Sequence, residues 1–310
     1  MLKILVPEPD YFPTEALDLL GQIGEVKAKK ITEKEFLQEM AGADILIIRV
    51  GTNVDKNLLA SAKKLKIIGT ATAGLDHIDI AEAKKRGIMI ISLDGANTQP
   101  TAEYTFALIL SLSRKIPWAF EHLKAGLWER PEFFGPELNG KVLGIIGFGR
   151  IGQKVAGYGK AFGMKVLAFD PYIDKESFLS AGATAIGLQE LLEKSDFITI
   201  HSLLTRETEN MIGKKQFEKM KSASFFINVS RGKIVDEADL LEALVNKKIA
   251  GAALDVYVSE PPDPESGLVR YAKENKNLLI TPHIAALTEE SVRAAALEIA
   301  EKVKRASGSL

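Results

Sequence analysis

The sequence contains no cysteine, so no disulfide framework, thiolate nucleophile or thiolate metal site can exist in it. That absence fits a reducing, cytoplasmic setting. An excess of one charge is also lacking: 40 basic residues face 41 acidic ones, for a formal net charge of −1. No global field therefore draws nucleic acid or an anionic lipid surface, and any bound anion must be caught locally. No stretch approaches the roughly 18 consecutive apolar residues that a membrane span requires. The opening MLKILVPEPDYF has an apolar part too short for a signal peptide, is broken by Pro7 and Pro9, and is expected to form a first strand. Aromatics are scarce at 7%, yet hydrophobic residues make up 46% of the 310. That composition suits a soluble globular enzyme, and the length predicts two domains of about 100–200 residues each.

What is present is a regular alternation. KILVPE, ADILIIRV, LKIIGTAT and IMIIS are continuous apolar runs of strand length, separated by segments such as TEKEFLQEMAG and IAEAKKRG with apolar residues three to four apart. Runs buried on both faces with helices between them predict parallel strands in βαβ units. NTQPTAEYTFALILSLSRK reads as a long helix, apolar nearly all round between Phe106 and Leu112, and so buried either inside its domain or between subunits. KAGLWERPEFFGPELNGK then breaks the periodicity. Beyond it, KVLGIIG, VLAFD, FITIH, SFFINV and GAALDV read as strands, DEADLLEALVNKK as a helix with an acidic first turn, and the tail from Thr288 to Lys304 as a last helix. The fold class expected is α/β, doubly wound parallel sheets in two domains.

The stretch KVLGIIGFGRIGQKVAGYGKAFGMKVLAFD sets Gly147, Gly149 and Gly152 between a strand and a helix. The first glycine makes the turn, the second lets a pyrophosphate approach the backbone, and the third lets helix and strand pack closely. Glycine patterns of this kind are common, and a tight βα turn alone would show one. An S-adenosylmethionine enzyme can also carry a glycine-rich turn after a strand. The third glycine together with an acid, Asp170, at the end of the next strand favours a dinucleotide, near the spacing of about 20 residues expected for the ribose-binding carboxylate. Asp170 should bond the ribose diol and repel a 2′-phosphate, and Pro171 and Tyr172 follow it with no arginine, so NAD is expected over NADP.

Three further strand ends carry polar groups: Arg231 in NVSRG, Asp255 with Glu260 beyond it in GAALDVYVSEPP, and His283 in LLITPHIAALT. In open parallel sheets ligands sit outside the carboxyl ends of strands, so these residues are expected to converge. A nicotinamide takes a hydride but not the proton that leaves a hydroxyl with it; histidine is the side chain naturally poised for that proton. A neighbouring carboxylate would orient the imidazole, and an arginine can fork onto a substrate carboxylate. Taken singly, each has a bland alternative: a structural histidine, an Arg231–Glu260 pair, a solvated loop acid. The chain has four histidines; His201 is the nearest rival base, His77 lies in a loop, and His122 is expected on a surface helix. No metal site is expected.

The glycine turn, HSLLTRETENMI, NVSRGKIVDEADLLEAL, GAALDVYVSEPP and TPHIAALT, in that order, resemble the D-isomer-specific 2-hydroxyacid dehydrogenase family over essentially the whole chain. The resemblance implies two Rossmann-like domains joined by a hinge: a flavodoxin-like substrate domain of residues 1–97 and 283–310, and an NAD domain of residues 98–282. It implies His283 as acid/base, Glu260 as its partner and Arg231 as substrate clamp. Arg150, Ile151, His201, Ser202, Val229, Ser230, Asp255 and Ala285 join Gly147, Gly149, Gly152 and Asp170 as cofactor contacts, with Asp255 near the nicotinamide carboxamide. The loop ATAGLDHID is similar to the family's substrate loop, so the amides of Ala73, Gly74 and Leu75 are expected to hold the substrate carboxylate, with Arg49 and Asn97 nearby. The stretch WERPEFFGPELNGKVLGIIGFGRIG looks most like the phosphoglycerate dehydrogenase branch, in a short form without its regulatory domain. Thr70 stands where that branch commonly has an arginine, so a substrate phosphate would lean on Arg49 and on Lys63 or Lys64. Rivals on the same scaffold are glyoxylate or hydroxypyruvate reduction, phosphite oxidation, and a non-catalytic NADH-sensing adaptor. A homodimer through the helix around 101–113 is expected.

Overall fold

The computed structural model describes residues 1–31 and 33–308. Thr32, at the head of the expected helix TEKEFLQEMAG, and the last two residues of the expected 283–310 segment lie outside the described residues. The chain divides into two compact units, residues 1–97 with 287–310 and residues 98–286.

The first unit holds β1 (Leu2–Val6), β2 (Gly24–Ala28), β3 (Ile45–Ile48), β4 (Ile67–Thr70) and β5 (Met89–Ile91). They form one parallel sheet in the order β2-β1-β3-β4-β5. Every residue of β3 and β4 is buried, as expected where helices cover both faces. The side-chain period of two splits β3 cleanly: Ile45 and Ile47 pack with Leu20, Ile299 and Val303, while Leu46 and Ile48 pack with Met40, Leu58 and Leu59 on the other face. The edge strand β2, GEVKA, alternates polar and apolar residues and was not among the expected strands. The helix Glu289–Ser307 returns to this unit; Thr288 accepts a bond from the Ser291 amide at 3.1 Å, and Glu289 and Glu290 open it while Lys304 and Arg305 close it. Cap and charge order both favour that helix, the cap by about 1 kcal/mol.

The second unit holds β6 (Val142–Ile146), β7 (Lys165–Phe169), β8 (Thr184–Ala185), β9 (Phe197–Ile200), β10 (Phe225–Asn228), β11 (Gly251–Leu254) and β12 (Leu278–Ile280). All pair in parallel, in the order β12-β11-β10-β9-β6-β7-β8. Chain order reverses at β6, which has β7 on one side and β9 on the other. A crevice opens at such a reversal, outside the carboxyl ends of the strands.

The helix Thr98–Ser113 is consumed inside this unit. Thr101, Ala102, Thr105, Phe106, Leu108, Ile109 and Leu112 are buried, and Phe106 stacks on Phe162 at 5.2 Å and meets the edge of Tyr158 at 5.8 Å. Its all-round hydrophobicity therefore serves the monomer core. The exposed apolar side chains come next along the chain: Ile116, Phe120 and Leu123 on the helix Ile116–Lys124, then Leu127, Trp128 and Phe134.

The second unit runs on through residue 286. The reason is local. The Asp255 carboxylate accepts the amides of Ile284 at 3.0 Å and Ala285 at 2.8 Å, which ties residues 283–286 to the second unit.

Candidate active site

The glycine turn follows β6. Gly147 has φ +89°, and a side chain there would also drive a Cβ to 2.4 Å from the Ser202 amide nitrogen. Only glycine suits that position. A Cβ at Gly152 would lie 2.3 Å from the Gly147 carbonyl oxygen, so the third glycine lets the helix Arg150–Ala161 press against the turn. Gly149 caps that helix and has open space where a Cβ would stand, with Arg150 exposed beside it and Ile151 half-buried. Asp170 follows β7 and accepts the Phe148 amide at 2.8 Å and the Tyr172 amide at 2.9 Å, so the acid is anchored to the turn itself.

On the other side of the reversal, after β9, the Ser202 hydroxyl is buried without a partner among the described residues, and its carbonyl accepts the Ser230 hydroxyl. The adjacent Val229 is buried. His201 is half-buried at its surface yet densely surrounded; its ring bonds the Thr199 hydroxyl at 3.1 Å, and desolvation pushes its pKa down to about 3. It therefore stays neutral across the physiological range. The other two histidines have structural partners: His77 is buried against Thr70 at 3.1 Å, and His122 accepts the Glu129 amide at 3.1 Å.

Three neighbouring strands end in register: Asn228 pairs with Leu254, which pairs with Ile280. Arg231, Asp255 and His283 thus leave the same sheet edge. Asn228, which sequence reasoning passed over, shapes the first turn by accepting the Ser230 amide at 3.0 Å and donating to the Arg231 carbonyl at 2.9 Å. An asparagine at the end of an apolar run was the available signal. Arg231 is half-buried, with Nη1 donating to the Ser230 carbonyl at 2.8 Å.

Asp255 is wholly buried, and burial raises its pKa against the lowering effect of the bonds it accepts. Besides the Ile284 and Ala285 amides it takes the Thr281 hydroxyl at 2.6 Å. It so grips the turn on both sides of His283, a residue held at φ +53°. That left-handed backbone is costly for a non-glycine residue and persists where surroundings impose it. The His283 ring bonds Glu260 through Nδ1 at 2.6 Å, leaving Nε2 as the atom available to a reactant. Both side chains are partly open, 25% and 30% exposed.

In the first unit, the loop after β4 is shaped by the Thr72 hydroxyl, which donates to the Gly74 carbonyl at 2.8 Å; Ala73, Gly74, Leu75 and Asn97 are half-buried. Arg49 follows β3. Its amide donates to Glu8 at 3.0 Å, its guanidinium lies 4.7 Å over the Tyr11 ring, and its Nη1 is buried without a partner among the described residues. Burial lowers its pKa, with Glu8 opposing; an arginine nonetheless stays charged. Thr70 is fully buried and occupied with His77 and Thr72, while Lys63 and Lys64 are exposed. Among the described residues no group of three or more His, Asp or Glu side chains could hold a metal ion, and no helix is long and apolar enough to cross a membrane.

The residues present fit a dinucleotide: a backbone opened by glycine at a helix N-terminus, an acid after β7 anchored to the glycine turn, and after β9, across the reversal, a serine hydroxyl without a partner among the described residues. With an imidazole–carboxylate pair on the same sheet edge, fold and site define a dinucleotide-binding protein equipped to move a proton. Residues 106–285 match the family model described as D-isomer specific 2-hydroxyacid dehydrogenase, NAD binding domain. The chain is similar to D-3-phosphoglycerate dehydrogenase of Archaeoglobus fulgidus, 44% identical over 97% of this chain and 56% of that protein. It is also similar to D-3-phosphoglycerate dehydrogenase of Methanocaldococcus jannaschii, 42% identical over 98% of this chain and 57% of that one. Among solved structures, D-lactate dehydrogenase from Aquifex aeolicus complexed with NAD and lactic acid superposes with a TM-score of 0.88 at 30% identity, covering 100% of this chain and 96% of that one. The chain belongs to the D-isomer specific 2-hydroxyacid dehydrogenase family. It spans about half the length of the curated relatives it matches.

Proposed function

We propose that the protein is an NAD-dependent oxidoreductase that interconverts a D-2-hydroxy acid and the corresponding 2-oxo acid, with 3-phosphoglycerate the first substrate to test. The observation that carries this reading is the His283–Glu260 pair, 2.6 Å apart at the edge of the sheet that bears the glycine turn. NAD, when bound, takes up or returns the hydride. In the oxidation direction His283 Nε2 accepts the hydroxyl proton as the carbonyl forms; in reduction it gives that proton back. Glu260 keeps Nδ1 protonated and stabilises the imidazolium. Arg231 forks onto the substrate carboxylate and polarises the adjacent carbonyl. The amides of Ala73, Gly74 and Leu75 are assigned to the same carboxylate, and Asn97 to the substrate as well. Asp255 is assigned to the nicotinamide carboxamide; Arg150, Ile151, His201, Ser202, Val229, Ser230 and Ala285 line the cofactor.

The unpartnered Nη1 of Arg49 supports an anionic substrate, since a buried guanidinium gains most from meeting a carboxylate or phosphate. Names of the relatives support phosphoglycerate. One observation favours a second reading: Thr70 is buried and engaged with His77, so no cation stands there for a phosphate. Glyoxylate or hydroxypyruvate would need none. Assaying purified protein with NADH against glyoxylate, hydroxypyruvate, phosphohydroxypyruvate and pyruvate tests both. Activity with phosphohydroxypyruvate alone supports the first, activity confined to the unphosphorylated acids supports the second, and no turnover of any rejects the reading.

The cofactor preference has its own test. Asp170→Ala removes the carboxylate that would repel a 2′-phosphate, so the ratio of kcat/KM for NAD over NADP should shrink by about tenfold or more. An unchanged ratio would show that another group selects the cofactor.

The reading extends to a cytoplasmic homodimer. Because the helix Thr98–Ser113 is spent in the monomer core, the interface is assigned to Ile116, Phe120, Leu123 and the segment through Phe134. Phe120 is 61%, Trp128 73% and Phe134 80% exposed, and large apolar side chains left this open offer an association surface. Sedimentation should give a dimer at micromolar concentration, and Phe120→Asp with Leu123→Asp should give a folded monomer. A wild-type monomer rejects the assignment.

A further inference from the structure

Tyr257 is buried, 7% exposed, and bonds Glu260 directly and the Thr281 peptide at the start of the His283 turn. Its amide donates to Glu260 Oε1 at 3.1 Å, the oxygen opposite the one that bonds His283. Its hydroxyl donates to the Thr281 carbonyl at 2.8 Å and lies 3.3 Å from the Leu254 carbonyl. The Thr281 carbonyl is also the acceptor for the His283 amide, at 3.1 Å. One phenol and one peptide N–H therefore fix the two ends of the pair: the carboxylate through its free oxygen, the imidazole through the peptide from which its turn starts.

The surroundings hold Tyr257 as firmly as it holds them. A Cβ on Gly232 would lie 1.9 Å from the Tyr257 carbonyl carbon, so the turn carrying Arg231 is pressed against the Tyr257 peptide. The next amide, of Val258, donates to Glu237 at 2.7 Å. Thr281 is held in turn by its amide on the Leu254 carbonyl at 2.9 Å and by its hydroxyl on Asp255 at 2.6 Å. A phenol in this place is not required to fill space, because phenylalanine has nearly the same volume. What the oxygen adds is a second donor to a carbonyl that otherwise restrains the left-handed His283 backbone with one.

We propose that Tyr257 is a positioning residue for proton transfer, yoking Glu260 and His283 so that Nε2 is held in line with the reacting oxygen. This rests on the dehydrogenase reading. A small misalignment of a general acid/base slows the chemical step without weakening cofactor binding. Tyr257→Phe leaves the hydrogen bond from the residue 257 amide to Glu260 in place and deletes only the hydroxyl.

The test uses the full chain, the best 2-oxo acid from the panel, and four proteins: wild type, Tyr257→Phe, Glu260→Gln and the double variant. Tyr257→Phe should lower kcat by about fivefold or more, keep the dissociation constant for NADH and KM within about twofold, and enlarge the solvent deuterium isotope effect on kcat. In the Glu260→Gln background the same change should cost less than about twofold, since the pair it serves is already broken. A merely structural role would instead lower the melting temperature and leave the isotope effect alone. Unchanged kcat in Tyr257→Phe, equal losses in both backgrounds, or a parallel loss of NADH affinity overturns the proposal. If His283→Asn is inactive while Tyr257→Phe is unimpaired, only this inference fails. If His283→Asn turns over like wild type, or wild type turns over nothing, the parent reading fails and takes this one with it.

Discussion

Replacing His283 with asparagine is expected to reduce kcat by about a thousandfold while leaving NADH affinity unchanged, the scale set by losing a positioned acid/base group. The choice of asparagine matters. His283 sits at φ +53°, a region that asparagine enters more readily than other non-glycine residues. The turn gripped by Asp255 should therefore survive, and the loss can be assigned to the missing imidazole. Alanine would mix backbone strain with lost chemistry. Steady-state rates followed by NADH absorbance, beside NADH binding followed by fluorescence, make the measurement. Turnover near the wild-type rate would remove His283 from the mechanism.

The second large effect is expected at Arg231. Arg231→Lys keeps the charge, yet kcat/KM should fall by about a hundredfold or more, because an ammonium cannot reproduce a planar fork on a carboxylate. The turn around it is fixed by Asn228, by the Ser230 carbonyl and by the close approach of Gly232 to Tyr257. That rigidity leaves a lysine little room to adapt. NADH affinity should hold, since the change falls on the substrate side of the chemistry. A loss confined to NADH binding would reassign Arg231 to the cofactor.

Much of the architecture was legible because both sheets are parallel and doubly covered. β3, β4, β9 and β11 are buried throughout and β10 nearly so, and a run such as ILII or FITI has only one comfortable setting. The edges were not legible in the same way. β2 alternates and β8 is two residues long, so neither rises above the background of a loop. The glycine turn was readable because Gly147 and Gly152 answer steric demands set by their neighbours, while Gly149 keeps the space before the helix open. Glu260 and His283 were readable as residue types at strand ends, and their pairing is in the structure. The supporting shell was not. Asn228 acts on the backbone of the turn just after it, while Thr281 and Tyr257 act through a carbonyl, an amide or a single hydroxyl brought together only once β11 and β12 lie side by side. The helix Thr98–Ser113 shows a related limit: uniform hydrophobicity says that a surface is covered without saying by what.

The first unit takes strands from the start of the chain and its helix Glu289–Ser307 from the end, whereas the second is one uninterrupted stretch. On a ribosome the contiguous half can complete itself while the earlier sheet still waits for its cover. Until that final segment emerges, Gly69 lacks Val303, and the face bearing Ile45, Ile47 and Ile67 stays uncovered by Ile299 and Val303. Nascent chains should then pass through a stage that is sticky at the amino end, and a stop codon ahead of residue 289 should yield insoluble product however well the middle folds.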